Sequence, residues 1–184
     1  MKIHLLLIYT LLMTYTGHAQ SNRIYTRQYR DSILQTHIGT GYPAYKLQLS
    51  DGKTVSNETD RNKVVLLSFW FGGCPACLEE FNALNELYDS LKNDPSFQFI
   101  SVVREPKERL PELIKKYNIK YAVTSVTDVE CSRLNYHSGF PTNIIVDKNG
   151  KIAVFKMEGY SEARARKVMI GEWLPKIKAM MAVQ

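Results

Sequence analysis

The sequence contains little cysteine and no set of residues spaced to bind a metal. Cysteine occurs 3 times in 184 residues. A structural zinc site takes four ligands, usually as two paired sets. Beyond Cys74 and Cys77, the remaining candidates are Cys131 and His137, which are not at the spacing of a zinc knuckle. The sequence therefore predicts neither a metal site nor a bound cofactor.

A hydrophobic run long enough to span a bilayer comfortably is also missing. Near the amino terminus, Lys2 precedes an apolar stretch at 3–13, and a small-x-small cleavage pattern ends at Ala19. This order is typical of an export signal. We predict that residues 1–19 are a signal peptide and that the mature chain begins at Gln20. An uncleaved anchor remains the alternative, whereas the lack of a nearby cysteine argues against a lipid anchor.

Basic residues are not arranged as a nucleic-acid interface. Lysine and arginine number 24 against 18 acidic residues, and no basic stripe is interleaved with aromatic residues. The sequence thus predicts no nucleic-acid partner. The scattered excess of positive charge is compatible with an acidic surface on a partner protein or with an anionic membrane surface.

What the sequence does contain is a strand followed by a cysteine pair. Residues 64–71 form a nearly unbroken apolar run rich in β-branched and aromatic residues, which predicts a strand buried on both faces. Gly72 and Gly73 end this run. After Cys77, apolar residues recur at the spacing of a helix. Cys74 and Cys77 therefore lie where a central strand gives way to a helix.

This junction suits thiol chemistry because the first turn of a helix favours an anion, and the thiolate is the reactive form of cysteine. Pro75 falls at the first helical position, where its missing N–H costs nothing. We expect Cys74 to be the exposed attacking thiol and Cys77 to resolve the mixed disulfide. A purely structural disulfide is the alternative, although such bonds usually close longer loops.

Several motifs together resemble the TlpA/ResA-like thiol–disulfide oxidoreductases of the thioredoxin superfamily. The resemblance runs from about Tyr42 to the last predicted helix. It is carried by the following residues: Phe69-Trp70, Cys74-Pro75-Ala76-Cys77, Glu80, Gly139-Phe140-Pro141-Thr142 and Val146-Asp147-Lys148-Asn149-Gly150. It implies an α/β thioredoxin-like three-layer sandwich, with a mixed central sheet flanked by helices and an N-terminal β-hairpin. Residues 42–184 would form this domain, after an extension and linker at 20–41.

The patterns outside the motif predict the remaining elements. A final helix from Ser161, its cap, to about Met181 must be kinked or interrupted by Pro175. A short helix over 128–136 has Asp128 as its predicted cap. The other expected elements are a hairpin over 43–56, a strand over 97–103, a helix over 106–117, an apolar segment over 121–126, and strands over 143–146 and 152–155.

The resemblance implies roles for residues outside the cysteine pair. Pro141 would follow a cis peptide bond and lie against the disulfide, although a trans proline starting a strand remains the alternative. The backbone of Phe140 would then pair with an extended substrate segment. Phe140, Trp70 and Pro75 are the predicted substrate-binding residues.

Glu80 lies three residues after Cys77 and can share its helical face. By resemblance it sits close to the cysteines, where a carboxylate opposes thiolate formation and can carry a proton. A solvated surface glutamate is the alternative. The chain departs from thioredoxins in having Gly73 where they have tryptophan before the first cysteine, and Ser68 where they have a buried aspartate. Proton handling would therefore fall to Glu80.

These residues predict an exported, periplasmic, monomeric thiol–disulfide oxidoreductase. By resemblance it reduces disulfides in exported proteins, such as apocytochrome c before haem attachment, and it needs a separate membrane thiol electron donor. The absence of histidine between the cysteines favours a reductant. A disulfide-forming oxidase and a non-enzymatic binding module remain alternatives. A peroxiredoxin is disfavoured because Leu67 and Phe71 occupy the places of its proline and its serine or threonine.

Two further residues have open roles. Cys131 is predicted to be a buried hydrophobic residue, with capture of a partner disulfide as the alternative. His137 is a candidate for stabilising a thiolate or, alternatively, a packing or surface residue.

Overall fold

The computed structural model describes residues 31–182. The predicted signal peptide and the first part of the predicted extension lie outside the described residues. The chain divides into two compact units, one up to Thr36 and one from His37 onwards. In the first, residues 31–36 are helical. Within the described range, no helix has the length and apolarity needed to cross a membrane.

The second unit is built on a mixed five-stranded sheet. Its strands are β3 (Val64–Trp70), β4 (Phe97–Val103), β5 (Val123–Ser125), β6 (Thr142–Val146) and β7 (Ile152–Lys156), in the order β5-β4-β3-β6-β7. β3 pairs with β4 in parallel and with β6 antiparallel. All seven residues of β3 are buried, as the unbroken apolar run predicts.

Two short strands, β1 (Lys46–Gln48) and β2 (Thr54–Ser56), form the predicted hairpin as a separate antiparallel sheet. Its end is tied to the main sheet, because the backbone N–H of Ser50 donates to the carbonyl of Val123 over 2.8 Å. Alternation places Leu47 and Leu49 on the buried side, as expected for a half-buried strand.

The helices are α1 (Pro75–Leu78), α2 (Phe81–Leu91), α3 (Leu110–Lys116), α4 (Asp128–Leu134), α5 (Glu162–Val168) and α6 (Leu174–Ala182). Apolar residues of α2, α3, α5 and α6 join the core cluster that also contains Cys74 and Cys77. Leu134 of α4 and Tyr42 meet outside this cluster, where the Tyr42 hydroxyl donates to the Leu134 carbonyl over 2.8 Å. The mixed sheet flanked by helices, with a hairpin ahead of it, confirms the predicted fold class.

Helix boundaries differ from the predicted ones in two places. The helix after the cysteines breaks at Glu79–Glu80 into α1 and α2, because the Glu80 N–H bonds to Cys77, three residues back. The cap of α4 is Thr127, whose hydroxyl accepts from the Glu130 N–H, so the assignment of Asp128 as cap is wrong. Asp128 instead occupies the first helical position.

Pro175 interrupts the last helix as predicted. A π-helical turn at Met169–Trp173 separates α5 from α6. Proline has no N–H to donate to the carbonyl four residues earlier, and its ring crowds that carbonyl. The wider π-helical turn ahead of Pro175 accommodates both the missing hydrogen bond and the ring.

Candidate active site

The cysteine pair closes a disulfide at the start of α1. Cys74 and Cys77 have an S–S distance of 2.02 Å and a Cα–Cα distance of 5.3 Å. Cys74 is the N-cap residue, and the backbone N–H of Cys77 points to its Sγ over 3.3 Å. Pro75 is at the first helical position and is exposed. The local sequence therefore directs a peptide donor at the Cys74 sulfur, where it stabilises negative charge.

The expectation of an exposed Cys74 is wrong for this disulfide state. Cys74 is 3% exposed and Cys77 is 1% exposed. Both belong to the main hydrophobic cluster together with Trp70 and Phe81. The pair is thus held within the core cluster, and little of either sulfur is exposed to a partner thiol.

The residue before Cys74 is glycine for a conformational reason. Gly73 has φ +81°, a left-handed backbone conformation that residues with a Cβ rarely adopt. Its N–H donates to the Tyr117 hydroxyl over 3.3 Å, and the Gly72 N–H donates to Glu105 Oε1 over 2.8 Å. These two contacts fix the turn between β3 and α1.

Phe140 and Pro141 are joined by a cis peptide bond, as the resemblance implied. Pro141 is buried and Phe140 is half-buried, with its ring edge-on to Phe71 at a centroid distance of 5.4 Å. Within residues 31–182, no hydrogen bond outside strand pairing is made to the Phe140 backbone. A backbone segment at the edge of the site is therefore open to a further strand.

A third segment completes this edge. A Cβ placed on Gly159 would lie 2.5 Å from the Cβ of Ala76 and 3.7 Å from Cδ of Pro141. The chain at Gly159 therefore packs directly between the cysteine helix and the proline loop. The sulfur of Met157 accepts a hydrogen bond from the Gly139 N–H over 2.9 Å and adds a second contact between these segments.

Trp70 does not occupy a substrate-facing position. Its side chain is 1% exposed, and its indole N–H donates to Ser101 Oγ over 2.8 Å. The ring packs edge-on against Phe81 at 5.0 Å and Tyr117 at 6.0 Å. The predicted contact with substrate is corrected accordingly: Trp70 supports the cysteine pair from inside the core.

Glu80 is buried rather than solvated. It is 1% exposed, and its Oε2 accepts a hydrogen bond from the Asn143 amide over 2.9 Å. Loss of hydration on burial raises the pKa of Glu80 to about 7, against the opposing effects of Asn143 and the Tyr160 backbone. The nearby Glu158 carboxylate raises the pKa further. A carboxyl group of this kind can give or take a proton near neutral pH.

The surroundings of Glu80 contain several polar atoms without partners among the described residues. These are Glu80 Oε1, Asn143 Oδ1 and the Tyr121 hydroxyl, all fully buried. Burial raises the pKa of Tyr160 to about 12, helped by Glu158 and Glu80. Since both tyrosines stay protonated at neutral pH, Glu80 is the group among these whose charge changes there.

Cys131 and His137 are not brought to the cysteine pair. Cys131 is fully buried, unbonded to another cysteine, and outside the core cluster of Cys74 and Cys77. Burial raises the pKa of its thiol to about 11, and the predicted burial of Cys131 is confirmed. His137 is exposed, with φ +55°. No group of three or more His, Cys, Asp or Glu residues in the described range is arranged to hold a metal ion.

Sequence reasoning missed two contributors to the site. Asn143 comes from β6, 63 positions from Glu80, and nothing in a single sequence pairs them. Its polarity within an apolar strand was the available signal, because a buried amide needs a polar partner. Gly159 was also missed, since close packing against Ala76 depends on tertiary structure.

Comparison with known proteins agrees with this geometry. The model of the AhpC/TSA family matches residues 38–155. A thiol-disulfide oxidoreductase ResA of Geobacillus thermodenitrificans is 30% identical over 118 residues, covering 62% of this chain and 66% of that protein. The ResA of Bacillus subtilis is 25% identical over 146 residues, covering 79% and 78%.

Among solved structures, a putative protein disulfide isomerase from Bacteroides thetaiotaomicron superposes with a TM-score of 0.68 at 23% identity. The match covers 79% of this chain and 91% of that one. At this level of identity, the similarity supports the shared fold alone.

Replacing Glu80 by glutamine should change how stability depends on pH. Because the pKa of Glu80 rises from 4.5 to about 7 on folding, the folded state binds the proton more tightly. Its contribution to stability is complete below about pH 4.5 and is lost as pH rises through 7. We expect Glu80→Gln to exceed the wild type in unfolding free energy by up to about 3 kcal/mol at pH 8.5, with little difference at pH 4.5.

Urea unfolding of the oxidised protein at both pH values measures this difference. Glu112→Gln, at a side chain that is 62% exposed, is the matched control and should show no such divergence. A Glu80→Gln effect of equal size at both pH values would contradict the buried, proton-binding state of Glu80.

Gly159→Ala should disturb the site by crowding. The added methyl would approach the Ala76 Cβ to 2.5 Å, so α1 or the Gly159 loop must move, at about 1–3 kcal/mol of stability. Gly171→Ala is the control, because its Cβ meets nothing within 4 Å and alanine favours a helix. Thermal unfolding should show a loss for the first variant and none for the second; equal values would contradict the close packing.

Proposed function

Because this chain belongs to the AhpC/TSA family, we propose that it is an exported thiol–disulfide oxidoreductase that reduces disulfides in exported proteins through Cys74 and Cys77. The observation that carries the proposal is the Cys74–Cys77 disulfide at the start of α1, with a peptide N–H aimed at Cys74 Sγ over 3.3 Å. The two related proteins named as thiol-disulfide oxidoreductases support the same activity class. The chain spans just under two thirds of the first relative's length.

In the reduced protein, the Cys74 thiolate attacks one sulfur of a substrate disulfide. This forms a mixed disulfide and releases one substrate thiolate. Cys77 then attacks the Cys74 sulfur, which frees the second substrate thiol and restores the disulfide with a Cα–Cα distance of 5.3 Å. Two electrons pass from the protein to the substrate. A separate dithiol donor must return them, and we propose that it is a membrane thiol carrier.

Glu80 is proposed to manage the proton of the resolving thiol. Cys77 is 1% exposed and has little access to water, while Glu80 is three residues further along and equally buried. With its pKa raised to about 7 by burial, the carboxylate can accept the Cys77 proton as the thiolate forms. It can return that proton when the disulfide is reduced again.

Substrate positioning is assigned to the proline loop. The Phe140 backbone has no partner outside strand pairing in the described part of the chain, so an extended substrate segment can add to it as a strand. Exposed Pro75 and half-buried Phe140 then provide the apolar walls on either side of the cysteines. Pro141 is buried next to this backbone, on the other side of Gly159 from the cysteine helix.

The reducing direction and the export are supported by the sequence around these sites. No histidine lies between Cys74 and Cys77 to stabilise a thiolate strongly, which disfavours a powerful oxidant. The predicted signal at 1–19 would place the protein outside the cytoplasm, where client proteins carry disulfides. A role resembling the reduction of apocytochrome c fits this location.

A trapping experiment tests the proposed chemistry. Cys77→Ser should hold a disulfide peptide on Cys74 as a stable mixed disulfide, because the resolving thiol is gone. With a substrate of two peptides joined by a disulfide, mass spectrometry of the reduced variant should give an adduct of the protein plus one of the peptides, while the other leaves as a free thiol. Dithiothreitol-driven peptide turnover should fall, because release of the peptide then depends on dithiothreitol reaching the buried Cys74 sulfur.

Cys131→Ser is the matched control, since Cys131 is buried away from the pair, and it should turn over the peptide at a rate near that of the wild type. Cys74→Ser should form no adduct. An adduct on Cys131 would overturn the assignment of Cys74 as the nucleophile, and equal peptide turnover by Cys74→Ser and the wild type would favour a non-enzymatic binding module.

A further inference from the structure

Arg104 lies at the same edge of the sheet as the cysteine pair. It follows the last residue of β4, and its backbone N–H donates to the Trp70 carbonyl over 3.1 Å. Because β3 and β4 run in parallel, both carboxyl ends meet at this edge. The antiparallel β6 begins there as well, with Thr142 opposite Phe69. This pairing brings the residues after both parallel strands to the proline loop.

The guanidinium group of Arg104 stands over two aromatic rings of the site. Its central carbon is 5.5 Å from the ring centre of Phe71 and 5.1 Å from that of Phe140. Phe71 leads into the cysteine turn, and Phe140 carries the open backbone of the proline loop. A cation is therefore fixed between the two segments that border the approach to Cys74.

The hydrogen-bonding capacity of Arg104 is largely unused. Its Nε lies 3.6 Å from Asp128 Oδ1, which is a loose ion pair between side chains that are 41% and 80% exposed. Neither terminal nitrogen of Arg104 bonds to a residue within 31–182. Stacking engages the face of a guanidinium group, whereas its N–H edge forms the paired bonds to a carboxylate. That edge remains available to a ligand.

We propose that Arg104 selects disulfide substrates that carry an aspartate or glutamate next to the reacting cysteine. The inference rests on the proposed function, because it concerns the substrate strand that adds to Phe140. A carboxylate of that strand would meet the N–H edge of Arg104 while the strand lies along the two rings. Asp128 competes for the same cation and limits the preference.

The nearby acidic groups do not neutralise the positive charge of Arg104. Glu105, the next residue, is already bound by the Gly72 N–H over 2.8 Å and by Arg109 over 2.9 Å. Asp128 therefore remains as the recorded acidic partner of Arg104 within the described residues. Removing the Asp128 charge and removing the Arg104 charge should thus have opposite effects on the choice of substrate.

Two disulfide peptides test the proposal. They are identical except for glutamate or glutamine beside one cysteine, and kcat/KM is measured for each with dithiothreitol as the electron source. In the wild type, the glutamate peptide should react about threefold to fivefold faster, as expected for one partly exposed ion pair. The ratio should fall to about one in Arg104→Gln and should rise in Asp128→Asn.

Added salt should lower the wild-type ratio, because exposed charges are screened. The ratio of the two peptides is an internal control for folding, since a misfolded variant slows both reactions together. If the kcat/KM ratio of the two peptides is the same in Arg104→Gln or in Asp128→Asn as in the wild type, the proposed charge preference is overturned. The proposed function would still stand. Failure of the wild type to reduce either peptide would overturn the proposed function as well.

Discussion

The hydrogen bond from the Asn143 amide to the Glu80 carboxylate, 2.9 Å long, is the interaction that joins the two halves of the site. Glu80 is the N-cap residue of α2, just after the short helix of the cysteines, and Asn143 lies in the strand that follows the cis proline. Both side chains are 1% exposed, so water cannot replace either partner. Burial of a carboxyl group without such a donor would be costly. The bond thus connects the segment after the disulfide with the strand after the proline loop, and it lowers the pKa of Glu80 against the effect of burial.

Much of this arrangement was predictable from local sequence. The apolar run before Gly72 identifies the central strand, and the spacing after Cys77 identifies a helix, because both patterns follow from the geometry of a single element. Resemblance to a family added the cis bond before Pro141. These features lie in contiguous motifs and need no knowledge of packing.

The remaining features depend on contacts between distant segments. Burial of Cys74 and Trp70 results from the core that closes around them, and an isolated motif does not reveal it. The partnership of Asn143 with Glu80 and the stacking of Arg104 on Phe140 join residues from different strands and loops. A single sequence offers the polarity of these residues but not their partners.

The site combines a protected interior with a selective rim. Cys77 and Glu80 are both buried, so the proposed proton transfer between them would depend on the protein rather than on bulk water. Phe140 and Arg104 lie further out, where a substrate strand would first make contact. In the proposed function, this division would separate the redox step, carried out by the buried residues, from substrate recognition, carried out by the more exposed ones.

The reduction potential of the Cys74–Cys77 pair tests the central claim most directly. It is measured in Cys131→Ser by equilibration with thiol buffers and mass-spectrometric trapping of the reduced and oxidised forms. The account predicts a value near or below that of thioredoxin, about −270 mV. A value near about −120 mV, that of a strong disulfide donor, would contradict the reducing role, and the absence of a reversible dithiol would contradict the redox function itself.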